Sequence, residues 1–334
     1  MREAEIRPDD LMAEYLRLSA KDAVRFFPDT DALPTGDCPG CGGATHRQKF
    51  VKNGFPILAC EACGTLFANP RPGAEQMADF YRDSESARYW AKTFFPAVAE
   101  ARREKIFKPR AARALELAQT YGTSLETIID VGAGVGLFLE EIRRLDGALT
   151  LRAVEPGRDA AAECRAKGLE TFEGFAKDAA TDTPWRDSGD LVVSFEVIEH
   201  LGEPEPFIRE LAGLTKPGGL VLVSGLCGDG FDIQTLGESA KAVSPPHHLT
   251  FLSQKGARSL FERAGLEMVS FETPGQLDVE IVARALQADD NVVGDAALRH
   301  LLLDADETER AAYQAALVEK KQSSHMWILA RRPA

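Results

Sequence analysis

Apolar positions along the chain change their spacing near residue 126, and the change divides the sequence into two patterns. Before this point, apolar residues recur at helical spacing in residues 9–27 and again in residues 85–121. After it, short apolar runs alternate with amphipathic segments, beginning with the run at residues 126–134. Alternation of this kind predicts an α/β fold in which helices cover both faces of a doubly wound sheet.

The pattern predicts four regions. Residues 1–35 form an N-terminal helix and a linker rich in turn-forming residues, and residues 36–70 hold two CxxC pairs with short β-like runs. Residues 71–121 form a helical connector in which prolines mark breaks or first turns. Residues 122–334 form the α/β domain, in which the polar residues 285–321 are a helical insertion before a final strand.

Aromatic residues cluster early in the connector, within residues 85–121. They are Tyr89, Trp90, Phe94 and Phe95. Two interpretations stay open from the sequence, because the cluster fits either packing against the next domain or a lid over a ligand site.

Composition and charge exclude several classes of protein. Hydrophobic residues make up 44% of the 334 residues and charged residues 27%, as in globular proteins rather than disordered ones. The formal net charge of −13 argues against broad nucleic-acid binding, because an acidic surface repels phosphate. No run approaches the roughly 18–20 apolar residues of a membrane span. The charged N-terminus lacks the apolar core of a secretory signal. We therefore expect a soluble cytoplasmic protein with no membrane partner.

Four of the six cysteines form a pattern typical of a zinc site. Cys38 and Cys41 form one CxxC pair, Cys60 and Cys63 form the other, and 18 residues separate the pairs. Four thiolates leave no open position on a tetrahedral zinc ion, so we expect a structural Zn²⁺. The segment around them carries three basic and two acidic side chains, which gives poor support for a nucleic-acid surface.

A glycine-rich turn follows the first strand of the α/β domain. It contains Asp130, Gly132, Gly134 and Gly136, and Glu155 ends the next strand 19 residues later. Glycines allow a ligand to approach backbone amides at a helix N-terminus, and an acid at this distance can bind a ribose. A dinucleotide and an adenosyl ligand both fit these features. The GxGxG spacing and the acid before the first glycine favour the adenosyl ligand.

This half of the chain resembles the class I methyltransferases that use S-adenosylmethionine (SAM). The motifs IIDVGAGVGLFLE, AVEP, DLVVSFEVIEHL and KPGGLVLVSG match in order and spacing over about residues 120–333. The resemblance implies a Rossmann-like sheet of seven strands with an antiparallel last strand. It also implies that SAM is the methyl donor. By motif, Asp130, Gly132, Gly134 and Gly136 line its methionine end, Glu155 binds its ribose, and Phe195 and Glu196 lie beside its methionine or sulfonium.

The cysteine-containing segment resembles the zinc-containing leader of bacterial methyltransferases of sugar and polysaccharide pathways. More loosely, the chain is similar to sugar C-methyltransferases, which carry a four-cysteine N-terminal domain. It differs from them in lacking their large C-terminal domain. A glutamate–histidine pair of that family falls at His247 and His248 of this chain.

Three of the six histidines are predicted near the ligand-binding edge of the sheet. His200 follows the fourth strand of the α/β domain, and His247 and His248 follow the fifth. A neutral imidazole can accept a proton from an acceptor group at neutral pH, and we choose His248 first. Neighbouring residues in an extended segment face opposite ways, so we expect only one of the pair in the pocket. A loop-ordering role is the alternative for all three.

Three functions compete at this level. The leading hypothesis is methyl transfer to a small molecule, favoured to be a sugar or glycan-pathway intermediate, with O-, N- and C-methylation all open. The alternative is an RNA methyltransferase that uses the zinc ribbon for recognition. The third hypothesis is a non-catalytic SAM-binding partner protein, against which the intact glycine loop and Glu155 argue.

Overall fold

The computed structural model describes residues 1–181 and 183–334. The helices, in chain order, are α1 (Glu3–Ile6), α2 (Asp9–Phe26), α3 (Ala74–Asp83), α4 (Glu85–Tyr89), α5 (Phe95–Arg102), α6 (Lys108–Thr120), α7 (Leu137–Leu145), α8 (Arg158–Ala166), α9 (Ala176–Ala179), α10 (Pro204–Leu214), α11 (Phe231–Leu236), α12 (Gln254–Arg263), α13 (Asp278–Ala288), α14 (Ala296–Leu303) and α15 (Glu307–Glu319). The strands are β1 (His46–Lys52), β2 (Phe55–Cys60), β3 (Leu66–Ala68), β4 (Thr127–Val131), β5 (Thr150–Glu155), β6 (Glu170–Glu173), β7 (Gly189–Phe195), β8 (Thr215–Leu226), β9 (Thr250–Phe251), β10 (Glu267–Glu272) and β11 (His325–Arg331).

A seven-stranded sheet forms the centre of the α/β domain. Its strand order is β10-β11-β8-β7-β4-β5-β6, and β11 runs antiparallel to both of its neighbours. The other pairs are parallel, and almost all residues of β7 and β8 are buried, because helices cover both faces. The predicted seven-stranded sheet with an antiparallel last strand is confirmed.

The N-terminal helix packs on the connector. α2 matches the predicted helix at residues 9–27, and its buried Met12 and Tyr15 contact the buried Phe94 and Val98 of the connector. Aromatic and aliphatic side chains of this size each contribute roughly 1.5–3 kcal/mol on burial. This packing fixes the first residues of the chain beside the ends of the central strands.

The cysteine-containing segment joins the α/β domain through a shared sheet. Strands β1, β2 and β3 form an antiparallel sheet whose fourth strand is β9, which follows β8 in the chain. Phe55, Phe67 and Phe251 are fully buried in this part of the molecule. The ribbon is therefore packed on the α/β domain and is not tethered by the linker alone.

The helical insertion lies between β10 and β11 and begins earlier than the predicted residue 285. Helix α13 starts at Asp278, whose carboxylate accepts hydrogen bonds from the Ser323 hydroxyl at 2.6 Å and the Ser324 amide at 2.7 Å. This contact ties the start of the insertion to the segment before β11. The helices in the described part of the chain include none with the length and apolarity that a bilayer crossing requires.

Candidate functional site

The glycine turn lies at the end of β4 and opens onto a cavity of about 440 Å³. Gly132 and Gly134 line this cavity and have φ angles of +79° and +55°, which side chains rarely adopt. A Cβ atom on Gly132 would lie 2.8 Å from Cγ2 of Val197, whereas Gly134 faces open space. The turn thus presents backbone to the cavity, as a bound adenosyl ligand would require.

Two residues predicted for the ligand site stand behind the glycine turn. Gly136, at φ +76°, packs against the α8 region, where an added Cβ would lie 2.7 Å from Cδ1 of Leu169. Close packing between elements accounts for this glycine, and its contact with the ligand stays a prediction. Glu155 is also absent from the residues lining the cavity; its carboxylate accepts bonds from the Gly134 amide at 2.8 Å and the Gly157 amide at 2.7 Å. Its ribose contact stays a prediction.

Asp130 lines the cavity and is buried at the end of β4. Burial raises its pKa to about 7; the nearby Arg110 opposes the shift and Glu155 adds to it. Arg110, on α6, lies with its guanidinium carbon 4.6 Å from the centre of the Phe195 ring. Phe195 also lines the cavity, and its place beside the methionine or sulfonium of SAM stays a prediction. No motif marks Arg110 in the sequence, so it was not predicted.

Glu196 links the cavity to the last strand of the sheet. One of its carboxylate oxygens accepts bonds at 2.7 Å from Arg110, Ser224 and His325. Burial would raise its pKa, but His325 and Arg110 hold the pKa of Glu196 well below its usual value. Its φ of +56° lies in the left-handed region, and such backbone strain is frequent at functional sites.

All three predicted histidines lie on the wall of this cavity. The rings of His200 and His248 meet edge to face with centroids 4.8 Å apart. His247 also reaches the cavity, contrary to the expectation that only one of the pair would. The segment is not extended there, since the His248 amide bonds back to the Ser244 carbonyl at 3.1 Å in a turn.

Hydrogen bonds define which nitrogen of each ring is free. Nδ1 of His248 lies 2.6 Å from the Ala242 carbonyl oxygen, which can only accept, so Nδ1 carries the proton and Nε2 is a free acceptor. Nδ1 of His200 lies 2.8 Å from the Tyr81 hydroxyl, which donates at 3.3 Å to the His247 carbonyl. His200 then donates from Nδ1, which leaves its Nε2 free as well.

His247 has its partner inside the protein. Its Nε2 lies 2.8 Å from the Ser86 hydroxyl, and that hydroxyl donates to the buried Asp22 carboxylate at 2.7 Å. The imidazole therefore donates to Ser86, and its ring packs against Tyr15 and Phe80. These contacts order the start of α4 and the histidine segment together. They fit an orienting role for His247 better than contact with an acceptor.

Burial keeps all three imidazoles neutral. It lowers the pKa of His200 to about 3, that of His247 well below 6.5, and that of His248 below its usual value. Beside them lies the buried Glu199, whose pKa burial raises, and among the described residues its Oε2 has no hydrogen-bond partner. A carboxylate oxygen of Glu199 and one ring nitrogen each of His200 and His248 all lie within 4.8 Å of one another.

The aromatic cluster of the connector combines both open interpretations. Phe94 is buried against Tyr15 of α2, with ring centres 6.3 Å apart. Trp90 and Phe95 line the cavity, together with Tyr15 and Tyr81. Phe94 thus packs in the protein interior, while Trp90 and Phe95 form part of the cavity wall. The N-terminal residues that form this wall show no local sequence signal, because only the fold brings them here.

The four cysteines converge in the ribbon. Sγ of Cys41 lies 3.5 Å from Sγ of Cys60, and Sγ of Cys38 lies 3.6 Å from Sγ of Cys63. All four sulfurs lie within 4.8 Å of one another. Zinc–sulfur bonds of about 2.3 Å in a tetrahedron place sulfurs roughly 3.8 Å apart. The geometry therefore fits one four-thiolate ion, with no position left for a substrate.

Comparisons with known proteins bear on the α/β domain. A family model described as a methyltransferase domain matches residues 98–271. The ubiquinone biosynthesis O-methyltransferase of Caulobacter vibrioides is 36% identical over 104 residues, which cover 30% of this chain and 40% of that protein. The enzyme of the same name from Rhizobium johnstonii is 25% identical over 191 residues, covering 54% and 65%. The match therefore spans less than two thirds of either relative.

Among solved structures, a SAM-dependent methyltransferase from Archaeoglobus fulgidus is 17% identical. The match covers 71% of this chain and 99% of that one, with a TM-score of 0.46.

Proposed function

The chain belongs to the methyltransferase domain family, and we propose that it transfers a methyl group from SAM to a small-molecule acceptor. One observation carries the proposal: the glycine turn and the histidine cluster face the same cavity. The glycine turn supplies a surface for the methyl donor, and the histidine cluster supplies neutral bases for the methyl acceptor. A cavity of about 440 Å³ is within the range of small-molecule sites.

SAM supplies a methyl group already activated by its sulfonium. The residues of this chain position it: the backbone at Gly132 and Gly134 permits close approach, and Phe195 provides an apolar wall. Asp130 is the acid closest to the turn in sequence and is buried in the cavity wall. Each carboxylate oxygen of Glu155 accepts one backbone amide, and in this proposal the remaining lone pairs accept the ribose hydroxyls of SAM.

His248 is the proposed proton acceptor for the acceptor group. Its Nε2 is free, its Nδ1 is held by the Ala242 carbonyl, and the ring is neutral. His200, with its own free Nε2, lies beside it and is the second candidate. His247 orients the segment through Ser86. A base is needed only when the attacking oxygen, nitrogen or carbon must lose a proton.

The acceptor class has two candidates. The resemblance of the ribbon to sugar-pathway enzymes favours a sugar or glycan intermediate. The reported relatives carry the name ubiquinone biosynthesis O-methyltransferase, which favours a hydroxyl group of a ubiquinone precursor. The comparisons do not support the sugar pathway, so it stays a prediction of the sequence. The ribbon in this proposal holds one structural zinc ion at Cys38, Cys41, Cys60 and Cys63.

The test measures transfer of labelled methyl from SAM to nucleotide sugars, quinone precursors and total RNA in parallel. We expect label in a small molecule and none above background in RNA. Label in RNA alone would favour the ribbon-guided RNA methyltransferase instead. No transfer, together with no binding of S-adenosylhomocysteine (SAH), would refute the proposal.

Two glycine variants provide a matched control for the donor site. Gly134 at φ +55° and Gly122 at φ +71° both have open space where a Cβ would point, and only Gly134 lines the cavity. Gly134→Val should therefore abolish SAH binding, while Gly122→Val should bear similar backbone strain and keep the affinity. Equal affinity in the two variants would place the donor elsewhere.

A further inference from the structure

A second cavity of about 290 Å³ adjoins the first and shares part of its wall. Arg7, Arg102 and Arg110 line both cavities. We propose that Arg7 and Arg102 bind an anionic group of the acceptor, a carboxylate or a phosphate, at the junction of the two cavities. This proposal rests on the proposed methyl transfer and names the chemical class of its acceptor.

The two arginines differ from the other cations of the second cavity in having no partner. Arg110 pairs with Glu196 at 2.7 Å, Arg113 with Glu272 at 2.6 Å, and Lys105 with Glu5 at 2.7 Å. Within residues 1–181 and 183–334, neither Arg7 nor Arg102 forms an ion pair or donates a side-chain hydrogen bond, and Nε of Arg102 is buried without a partner. After these ion pairs are formed, Arg7 and Arg102 have no counter-ion among the described residues.

Arg102 is held in place for a ligand. Its guanidinium carbon lies 5.8 Å from the ring centres of both Trp90 and Phe95, at the end of α5. Burial lowers its pKa to about 10, with Arg7 and Arg110 acting in the same direction and Glu196 opposing them. The side chain remains a cation at neutral pH. Two adjacent cations with no counter-ion are costly in a partly buried site, and a bound anion would offset that cost.

The acids near the junction are already engaged. Asp278 accepts bonds from Ser323 and Ser324, and Asp232 accepts from the Ile233 amide at 2.8 Å. Burial raises the pKa of Asp232 to about 6, and the charge of Arg7 opposes that shift, so Asp232 is mostly ionised at pH 7. The remaining acid, Glu196, is shared by three donors. Among the described residues, neither Asp232 nor Asp278 forms an ion pair with Arg7 or Arg102, so both guanidiniums can still contact an incoming anion although the whole chain carries −13.

The position also suits an acceptor rather than the donor. Arg110 is the arginine on the donor side, because it lies over Phe195 and influences Asp130. Arg7 and His248 line the same first cavity, and the charge of Arg7 contributes to the lowered pKa of that imidazole. An acceptor whose anionic group contacts Arg7 and Arg102 would thus have its remainder near the proposed base. A guanidinium can bind carboxylate or phosphate through two parallel hydrogen bonds.

The experiment separates this site from the donor site. SAH binding is first measured by calorimetry in the wild-type protein, Arg7→Gln, Arg102→Gln, and Arg102→Lys. Inorganic phosphate, pyrophosphate and benzoate are then titrated into each SAH-saturated protein. We expect saturable binding of at least one anion to the wild type, weakened about tenfold or more in the glutamine variants and partly restored by Arg102→Lys. Which anion binds tells phosphate from carboxylate.

Arg113→Gln is the matched control, because Arg113 lines the same cavity but is paired with Glu272. It should keep anion affinity within about twofold of the wild type, as expected for a cation already paired. Anion binding that is absent, or equal in all variants, would overturn the proposal. A tenfold loss of SAH affinity in Arg102→Gln would also overturn it, by assigning the arginines to the methionine carboxylate. If the wild type fails to bind SAH at all, the proposed methyl transfer fails first.

Discussion

The free Nε2 of His248 allows a substitution that separates catalysis from folding. An asparagine side chain places its amide nitrogen close to where the imidazole places Nδ1. His248→Asn therefore keeps a donor for the Ala242 carbonyl, which lies 2.6 Å from Nδ1, and removes Nε2. His248→Ala removes both. If Nε2 accepts the proton of the acceptor, the two variants should be equally slow although their stabilities differ.

The structure sets the size of both effects. Loss of a general base typically lowers the rate by about 10²–10⁴-fold. Loss of the bond to the half-buried Ala242 carbonyl costs on the order of 1 kcal/mol of unfolding free energy, and only His248→Ala should show it. The pKa of His248 is lowered, so the neutral base persists to lower pH than a free imidazole. The acid limb of kcat/KM should therefore lie below pH ~6.5.

The assay is SAH formation with the acceptor identified from the panel, measured from pH 5 to 9, with SAH affinity and melting temperature for each variant. His300→Ala is the control, because His300 is exposed and pairs only with Asp304. If His248→Asn turns over at nearly the wild-type rate while His248→Ala is slow, His248 is not the general base and acts only by orienting its segment. Unchanged rates in both variants and in His200→Ala would mean that alignment alone carries the reaction.

Three further predictions concern the donor, the metal and the pH response. Glu155→Ala should weaken SAH binding by on the order of 1–3 kcal/mol, and an unchanged calorimetric affinity would remove Glu155 from the site. Cys60→Ser should lose the single zinc found by metal analysis and lower both melting temperature and turnover; retained zinc and melting behaviour would contradict the ligand set. The pKa values of His200, His247 and His248 are all lower in the folded chain, so the unfolded chain binds more protons below pH ~6.5. The contribution of the neutral imidazoles to the free energy of unfolding should be complete above that pH and lost as pH falls. Denaturant unfolding at pH 5 and 7.5 tests this, because the free energy should fall more at pH 5 in the wild type than in the three alanine variants.

The features that the sequence predicted are those written in local patterns. The glycine turn after β4 follows from a short motif at the end of an apolar run. The CxxC pairs carry their own spacing. Each of these can be recognised within about twenty residues, so no knowledge of the tertiary arrangement is needed.

The features that were missed depend on contacts between distant segments. Arg7 and Tyr15 reach the cavity from the first helices, and Arg110 reaches it from the connector. Ser86 contacts His247 across 161 residues of sequence, and Asp22 supports Ser86 across 64. The packing of Gly136 was missed for the same reason, because its neighbour Leu169 lies between α8 and β6. A glycine required by packing and one required by a ligand look alike in a sequence.

The ribbon is the feature whose meaning changes most once the fold is known. Its sheet continues into β9, directly after the histidine segment, and the Ala68 amide donates to the Leu249 carbonyl at 2.8 Å. Asn53 holds the Pro245 carbonyl at 2.8 Å, and Ser253 donates to the Cys63 carbonyl at 2.6 Å. The histidine segment is thus held at both ends by the cysteine-containing ribbon. A closed four-thiolate site can therefore affect turnover without touching substrate, because it fixes the strand beside which His248 stands.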